Sequence, residues 1–252
     1  KFHDQQIVKE FTKAIEEKRI TELYWCGGEP LMWKIHWEAM SRILELGYAD
    51  KVLARYNSNM SRINFYGKNL FGDILKYYPK FQICASIDGT GEIGEYIRTG
   101  LKYDKWLNNM KYAIQFADKN HDYKRIQLDL TITLPGLFDL ENMVLLSNEL
   151  GIELLTKQVF NFSNDIAMAP LFMPYDLMSE IIDEVKEKTI KYKSKNTEKF
   201  FRQLGEMQKQ KRNNELVYSE KEYVEGQKKG KRQIEYLDRI RGTDIKKILG
   251  KN

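Results

Sequence analysis

Residues 24 to 32 read Tyr-Trp-Cys-Gly-Gly-Glu-Pro-Leu-Met. A short apolar run that suits a buried strand passes directly into a polar Gly-Gly-Glu-Pro turn. Two glycines permit backbone angles and close approaches that other residues forbid. A glutamate in such a turn, at the carboxyl end of a parallel strand, stands where α/β folds bind small polar ligands.

The flanking pattern supports a parallel sheet. Upstream, Asp4 can cap a helix whose apolar positions Ile7, Val8, Phe11, Ala14 and Ile15 share one face and which ends near Lys18 and Arg19. A strand is expected at about residues 22 to 25. Downstream, Ile35, Trp37, Met40, Ile43 and Leu44 suit a helix that stops at Gly47, followed by a strand at residues 51 to 56 with Asn57, Ser58 and Asn59 at its end. A helix at residues 68 to 77 leads to Pro79, and residues 81 to 87 form the third strand, closed by Asp88-Gly89-Thr90-Gly91. Leu107, Met110, Ala113, Ile114 and Ala117 make the next helical stripe. Strands at 126 to 134 and 152 to 160 follow, with a helix at 140 to 150 between them.

Consecutive βα units with short connections imply right-handed crossovers, in an open doubly wound sheet or a barrel. Both arrangements place ligands at the strand carboxyl ends. Those positions carry Gly27, Gly28 and Glu29, then Asn57, Ser58 and Asn59, then Ser86 and Asp88, then Thr133, and last Gln158 and Asn161. The pattern predicts a polar rim on an apolar barrel. Beyond residue 160 strands become scarce and long charged helical stretches take over, at 177 to 193, 198 to 211 and 232 to 249. Residues 226 to 231 are also compatible with a mobile linker.

Composition limits the function classes. With 252 residues, 42% of them hydrophobic and 12% aromatic, the chain can bury a substantial core. It has no apolar run of about 18 residues and no signal-like segment, so a membrane partner is not expected and a cytoplasmic location is the default. The net charge of +5 falls in the tail: residues 1 to 160 hold 21 basic and 21 acidic residues, residues 161 to 252 hold 20 and 15. A surplus of this size suits a solvated face better than a nucleic-acid surface.

The two cysteines, Cys26 and Cys84, each sit in an apolar run and read as buried structural thiols. His3, His36 and His121 are scattered and do not suggest a metal site. Neither a phosphate-binding GxxxxGK[ST] loop nor a GxSxG elbow occurs.

Three motifs in order, Gly27-Gly28-Glu29-Pro30, Asn57-Ser58-Asn59 and Ser86-Ile87-Asp88-Gly89, resemble those of the radical S-adenosylmethionine enzymes. Residues 86 to 106, SIDGTGEIGEYIRTGLKYDKW, look like the subgroup with twitch or SPASM C-terminal domains. The resemblance covers residues 1 to 160 well and the tail weakly. It implies an α/β fold, a partial (β/α)6 TIM-like barrel over residues 1 to 160, with a helical basic extension at 161 to 252 in the twitch position.

The same resemblance implies the site. Gly27, Gly28 and Glu29 receive the methionine ammonium, with Pro30 stiffening the turn, which suits charge-assisted hydrogen bonding. Ser86 and Asp88, two apart on one strand face, meet the ribose hydroxyls. Arg98 takes the methionine carboxylate. Asn57, Ser58 and Asn59 stand where the family often has Thr-Asn-Gly, with Asn59 in place of the glycine, and Thr133 approaches the adenine or the substrate.

The family's CxxxCxxC motif, whose cysteines hold a [4Fe-4S] cluster, is absent from the chain. The chain starts at Lys1 with a helix like the one that follows that motif in the family. The motif and one strand are therefore expected upstream of Lys1, bringing five strands to six. No cysteine follows Cys84, so an auxiliary cluster is not expected.

The function implied is reductive cleavage of S-adenosylmethionine at the cluster to a 5′-deoxyadenosyl radical that modifies a peptide or protein, with an external electron donor. The alternatives are a non-catalytic barrel that serves as a binding module, and nucleic-acid binding through the basic tail.

Overall fold

In the computed structural model, residues 2–120, 125–159, 168–209, 211–212, 215–216 and 218–250 are described. Five parallel strands form the main sheet: β1 (Glu22–Trp25), β2 (Leu53–Ser58), β3 (Phe81–Ile87), β4 (Ile126–Ile132) and β5 (Leu154–Gln158). Their order follows the chain without reversal, whereas a doubly wound sheet reverses at a switch point. The helices are α1 (Phe2–Glu16), α2 (Lys34–Glu45), α3 (Gly91–Ile97), α4 (Tyr103–Asn120), α5 (Leu140–Leu150), α6 (Tyr175–Thr189), α7 (Glu198–Gln208), α8 (Glu220–Arg241) and α9 (Ile245–Ile248). The chain divides into two compact units, Lys1–Ser86 with Lys105–Gln127, and Ile87–Asp104 with Leu128–Asn252.

In the first unit, strand residues alternate between a buried and an open face, as the two-residue period of a strand requires. Leu23, Trp25, Ala54, Tyr56, Ser58, Phe81, Ile83 and Ala85 are buried. The helices cover this one face. Phe11 of α1 meets Trp25 edge-on (6.1 Å), His36 of α2 meets Trp25 (4.9 Å) and Tyr56 (5.5 Å), and Phe116 of α4 meets Phe81 (6.4 Å). The opposite face is polar and at least partly exposed. There Arg55 pairs with Glu22 (2.9 Å) and lies over the Tyr24 ring (4.9 Å), while Gln82 donates to Gln127 (3.0 Å). The sheet thus has a polar face as well as the polar rim the sequence predicts.

Several boundaries shift for local reasons. Helix α1 starts at Phe2, so Asp4 lies inside its first turn rather than ahead of it. Residues 49 to 51 form a 3-10 turn, which moves β2 two residues on and places Asn57 and Ser58 inside the strand. The helix expected at 68 to 77 is broken into a two-residue bridge, a π turn at Leu70–Ile74 and a 3-10 turn at Leu75–Tyr77. Asn69 caps the π turn: its Oδ1 accepts from the N–H groups of Phe71 (3.0 Å) and Gly72 (2.7 Å), so helical winding starts only at Leu70. Cys26 is exposed, because it lies past the last paired residue of β1, and Cys84 is only half-buried on the open face. Asn161 and His121 lie outside the described residues.

In the second unit, Lys157 of β5 pairs with the buried Asp129 of β4 (2.7 Å). The backbone carbonyl of Asn196 accepts from Leu154 N–H (2.8 Å), occupying part of the β5 edge. Residues 226 to 231 belong to the middle of α8 and are no linker. That helix opens with a Ser219–Glu222 capping box, has Arg239 and Arg241 in its last turn, and stops at left-handed Gly242. Gly226 is buried, and a Cβ there would lie 2.2 Å from the Phe172 ring, so glycine allows the helix to seat on that side chain.

His36 is fully buried, its Nε2 lying 3.0 Å from the Tyr56 hydroxyl, and burial pushes its imidazole down to about 3. The unfolded chain therefore binds a proton below about pH 6.5 that the folded chain refuses. Unfolding free energy should fall as pH drops from about 6.5 towards 3, by up to about 1.4 kcal/mol per pH unit from this group. His36→Gln should remove about one proton from that dependence in urea titrations across pH; an unchanged slope would show that His36 is accessible to protons in the fold.

Candidate functional site

Glu29 is the best-anchored of the sequence-predicted residues. Its Oε1 accepts from Ser58 Oγ (2.8 Å) and Leu31 N–H (3.1 Å), and its Oε2 accepts from Asn59 N–H (2.7 Å). One carboxylate thus fastens the turn after β1 to the carboxyl end of β2. Pro30 opens a 3-10 turn, Pro30–Met32, and the buried Trp37 Nε1 donates to Leu31 O (2.9 Å), so α2 braces the turn from beneath.

Gly27 and Gly28 adopt φ of +77° and +36° and are exposed. A Cβ at either would meet nothing within 4 Å, so dihedral freedom, not crowding, requires glycine here. Among the described residues no backbone N–H donates to their carbonyls. The exposed turn therefore offers acceptors beside a carboxylate, an acceptor set suited to an ammonium group.

Around the end of β2, Ser58 Oγ also accepts from Met60 N–H (3.0 Å), and Asn59 Oδ1 accepts from both Ser61 N–H (2.9 Å) and Ser61 Oγ (2.6 Å). The left-handed residue is Met60, at φ +51°. Asn57 and Ser86 sit half-exposed on the open sheet face.

The second unit brings Asp88 and Arg98 together. Arg98 Nε lies 2.7 Å from Asp88 Oδ2, a close ionic contact whose N–H is not aligned on the oxygen, and Asp88 Oδ1 accepts from Thr131 N–H (3.1 Å). Thr133 is buried, and its hydroxyl accepts from Gly136 N–H (3.1 Å) as part of the turn before α5.

Three residues near Asp88 escaped sequence reasoning. A Cβ on Gly94 would lie 2.2 Å from Gly89 O, and one on Gly136 would lie 2.6 Å from Asp88 O and 2.9 Å from Thr133 Oγ1. Asp139, 2% exposed, accepts from Thr90 N–H, from Thr90 Oγ1 (3.2 Å) and from Asn142 Nδ2 (2.7 Å). Burial pushes its carboxyl up, opposed in part by those hydrogen bonds. The Pro135-Gly136 turn was a usable signal for close packing; no sequence rule pairs Asp139 with a residue 49 positions away.

A groove of about 890 Å³ also lies in the second unit, lined by Phe172, Pro174, Ile234 and Ile245. It touches the candidate set only through Leu134, the neighbour of Thr133, so its size does not make it the site of the chemistry.

Among the described residues no group of three or more His, Cys, Asp or Glu side chains could hold a metal ion. Comparison with models of known protein families and with curated proteins finds no match. Among the described residues no helix is long and apolar enough to cross a membrane.

Glu29→Ala should lower stability by about 2 kcal/mol, since three hydrogen bonds to a charged, part-buried acceptor are lost. Urea denaturation checks this, and an unchanged midpoint would mean the clamp is not formed. Gly136→Ala should cost about 1–3 kcal/mol through overpacking against the Asp88 carbonyl, read in the same assay.

Proposed function

We propose that this chain is the S-adenosylmethionine-binding part of a radical S-adenosylmethionine enzyme acting on a peptide or protein, built on a partial (β/α)6 barrel. One observation carries the reading: the Glu29 carboxylate is locked to Ser58 and Asn59, while among the described residues no backbone N–H takes up the Gly27 and Gly28 carbonyls at a strand's carboxyl end. Such a turn binds the methionine ammonium by charge-assisted hydrogen bonds with little reorganisation. In the second unit, Arg98 offers the rest of its guanidinium fork to the methionine carboxylate, and Asp88 has acceptor capacity left for ribose hydroxyls.

The barrel reading is supported by the sequential strand order and by the three helices on one face of the first unit. Among the described residues the outer edge of β1 carries no partner strand. A sixth parallel strand added there would extend the winding.

The residues present do not fit an iron–sulfur cluster. Cys26 is exposed, Cys84 is on another strand, and the described residues supply no third ligand. The reading places the cluster's cysteines outside this sequence, and the chain's own part is to bind and orient S-adenosylmethionine. The same observation favours a second reading, a binding module without redox chemistry. Anaerobic 5′-deoxyadenosine formation by the native protein separates the two.

S-adenosylhomocysteine needs no cluster and reports the binding step alone. Calorimetry should show binding to the wild-type chain, weakened about tenfold or more in Arg98→Ala, which removes a charge-assisted contact, and unchanged in Cys26→Ala. No binding by the wild-type protein would overturn the proposal.

A further inference from the structure

Asp139 and Thr90 occupy the N-cap positions of α5 and α3, where Asp and Thr ordinarily accept a hydrogen bond from a backbone N–H of their own helix. Neither does so. Instead they bond each other: the Thr90 N–H donates to Asp139 Oδ2 and the Thr90 hydroxyl to Oδ1, which also accepts from Asn142 Nδ2. None of these donors is a cation, although the carboxylate is 2% exposed. Two helices each give up a cap worth about 1 kcal/mol, and a carboxylate is desolvated, to join residues 49 apart.

The segment so fastened is the one that follows Asp88. The carbonyls of Asp88 and Gly89 run in a slot closed by Gly136 and Gly94, where a Cβ would lie 2.6 Å and 2.2 Å from them. These contacts fix the backbone of residues 88 and 89 laterally. The orientation of the Thr90 peptide remains, and the Asp139 carboxylate sets it. Asp88 itself is held by Thr131 N–H and Arg98.

We propose that Asp139 is a positioning residue for the ligand-binding loop: through Thr90 it fixes where the Asp88 carboxylate meets the ribose hydroxyls. The proposal rests on the S-adenosylmethionine reading above. Asp139 touches no ligand in it.

The test is S-adenosylhomocysteine affinity by calorimetry, with amide hydrogen exchange at Thr90 and thermal melting on the same samples. Asp139→Ala should raise Kd about tenfold, as expected for loss of hydrogen bonds to a charged acceptor, with faster exchange at Thr90. Asp139→Asn, whose one carbonyl oxygen can take the place of Oδ2 and accept from Thr90 N–H, should bind within about threefold of wild type, a rescue that a purely volumetric role does not predict for Asp139→Leu. Should Asp139→Ala fail to fold, Thr90→Val removes only the hydroxyl bond and should weaken binding about threefold. Folded variants with wild-type affinity would overturn the proposal while leaving the reading intact. Failure of the wild-type chain to bind would remove both.

Discussion

The first unit depends on one carboxylate. Glu29 sits in a turn whose two preceding glycines have left-handed dihedrals, a conformation with many competitors in a free loop. Hydrogen bonds from Ser58, Asn59 and Leu31 select a single arrangement and tie the ends of two adjacent parallel strands. A turn whose carbonyls take no backbone hydrogen bond among the described residues draws its rigidity from a side chain. Glu29 supplies it, and Trp37 beneath holds the turn to the core.

The arrangement of the core makes that turn accessible. Because α1, α2 and α4 all contact the same face of β1 to β3, the other face carries Arg55, Asn57, Gln82, Cys84 and Ser86 at intermediate exposure. A sheet covered on both faces would need apolar residues on both. The strict alternation of buried and half-exposed residues in β2 and β3 records that only one face is packed. His36, neutral and buried between Trp25 and Tyr56, is part of that packing.

Local sequence signals read well where the physics is local. Residues 22 to 25 and 81 to 87 alternate or run apolar between turn residues, and both strands occupy those ranges. Helix α2 stops where Gly47 ends its stripe. Reading failed where the chain winds irregularly, as residues 68 to 77 do in a π turn followed by a 3-10 turn, or where glycine suggested freedom but served packing, as Gly226 does against Phe172. Within the candidate site, Glu29, Ser58 and Asn59 were legible as residues, but their mutual bonding was not. Asp139 was invisible because its partner Thr90 is distant in the chain and both residues look like ordinary helix caps.

The ammonium-binding role proposed for the glycine turn held by Glu29 is decided by a crystal structure of the protein with S-adenosylhomocysteine. The ligand's amino group is expected within hydrogen-bond distance of the Gly27 or Gly28 carbonyl, with the Glu29 bonds to Ser58 and Asn59 retained. Ligand bound in the α8–α9 groove with the glycine turn empty would contradict it.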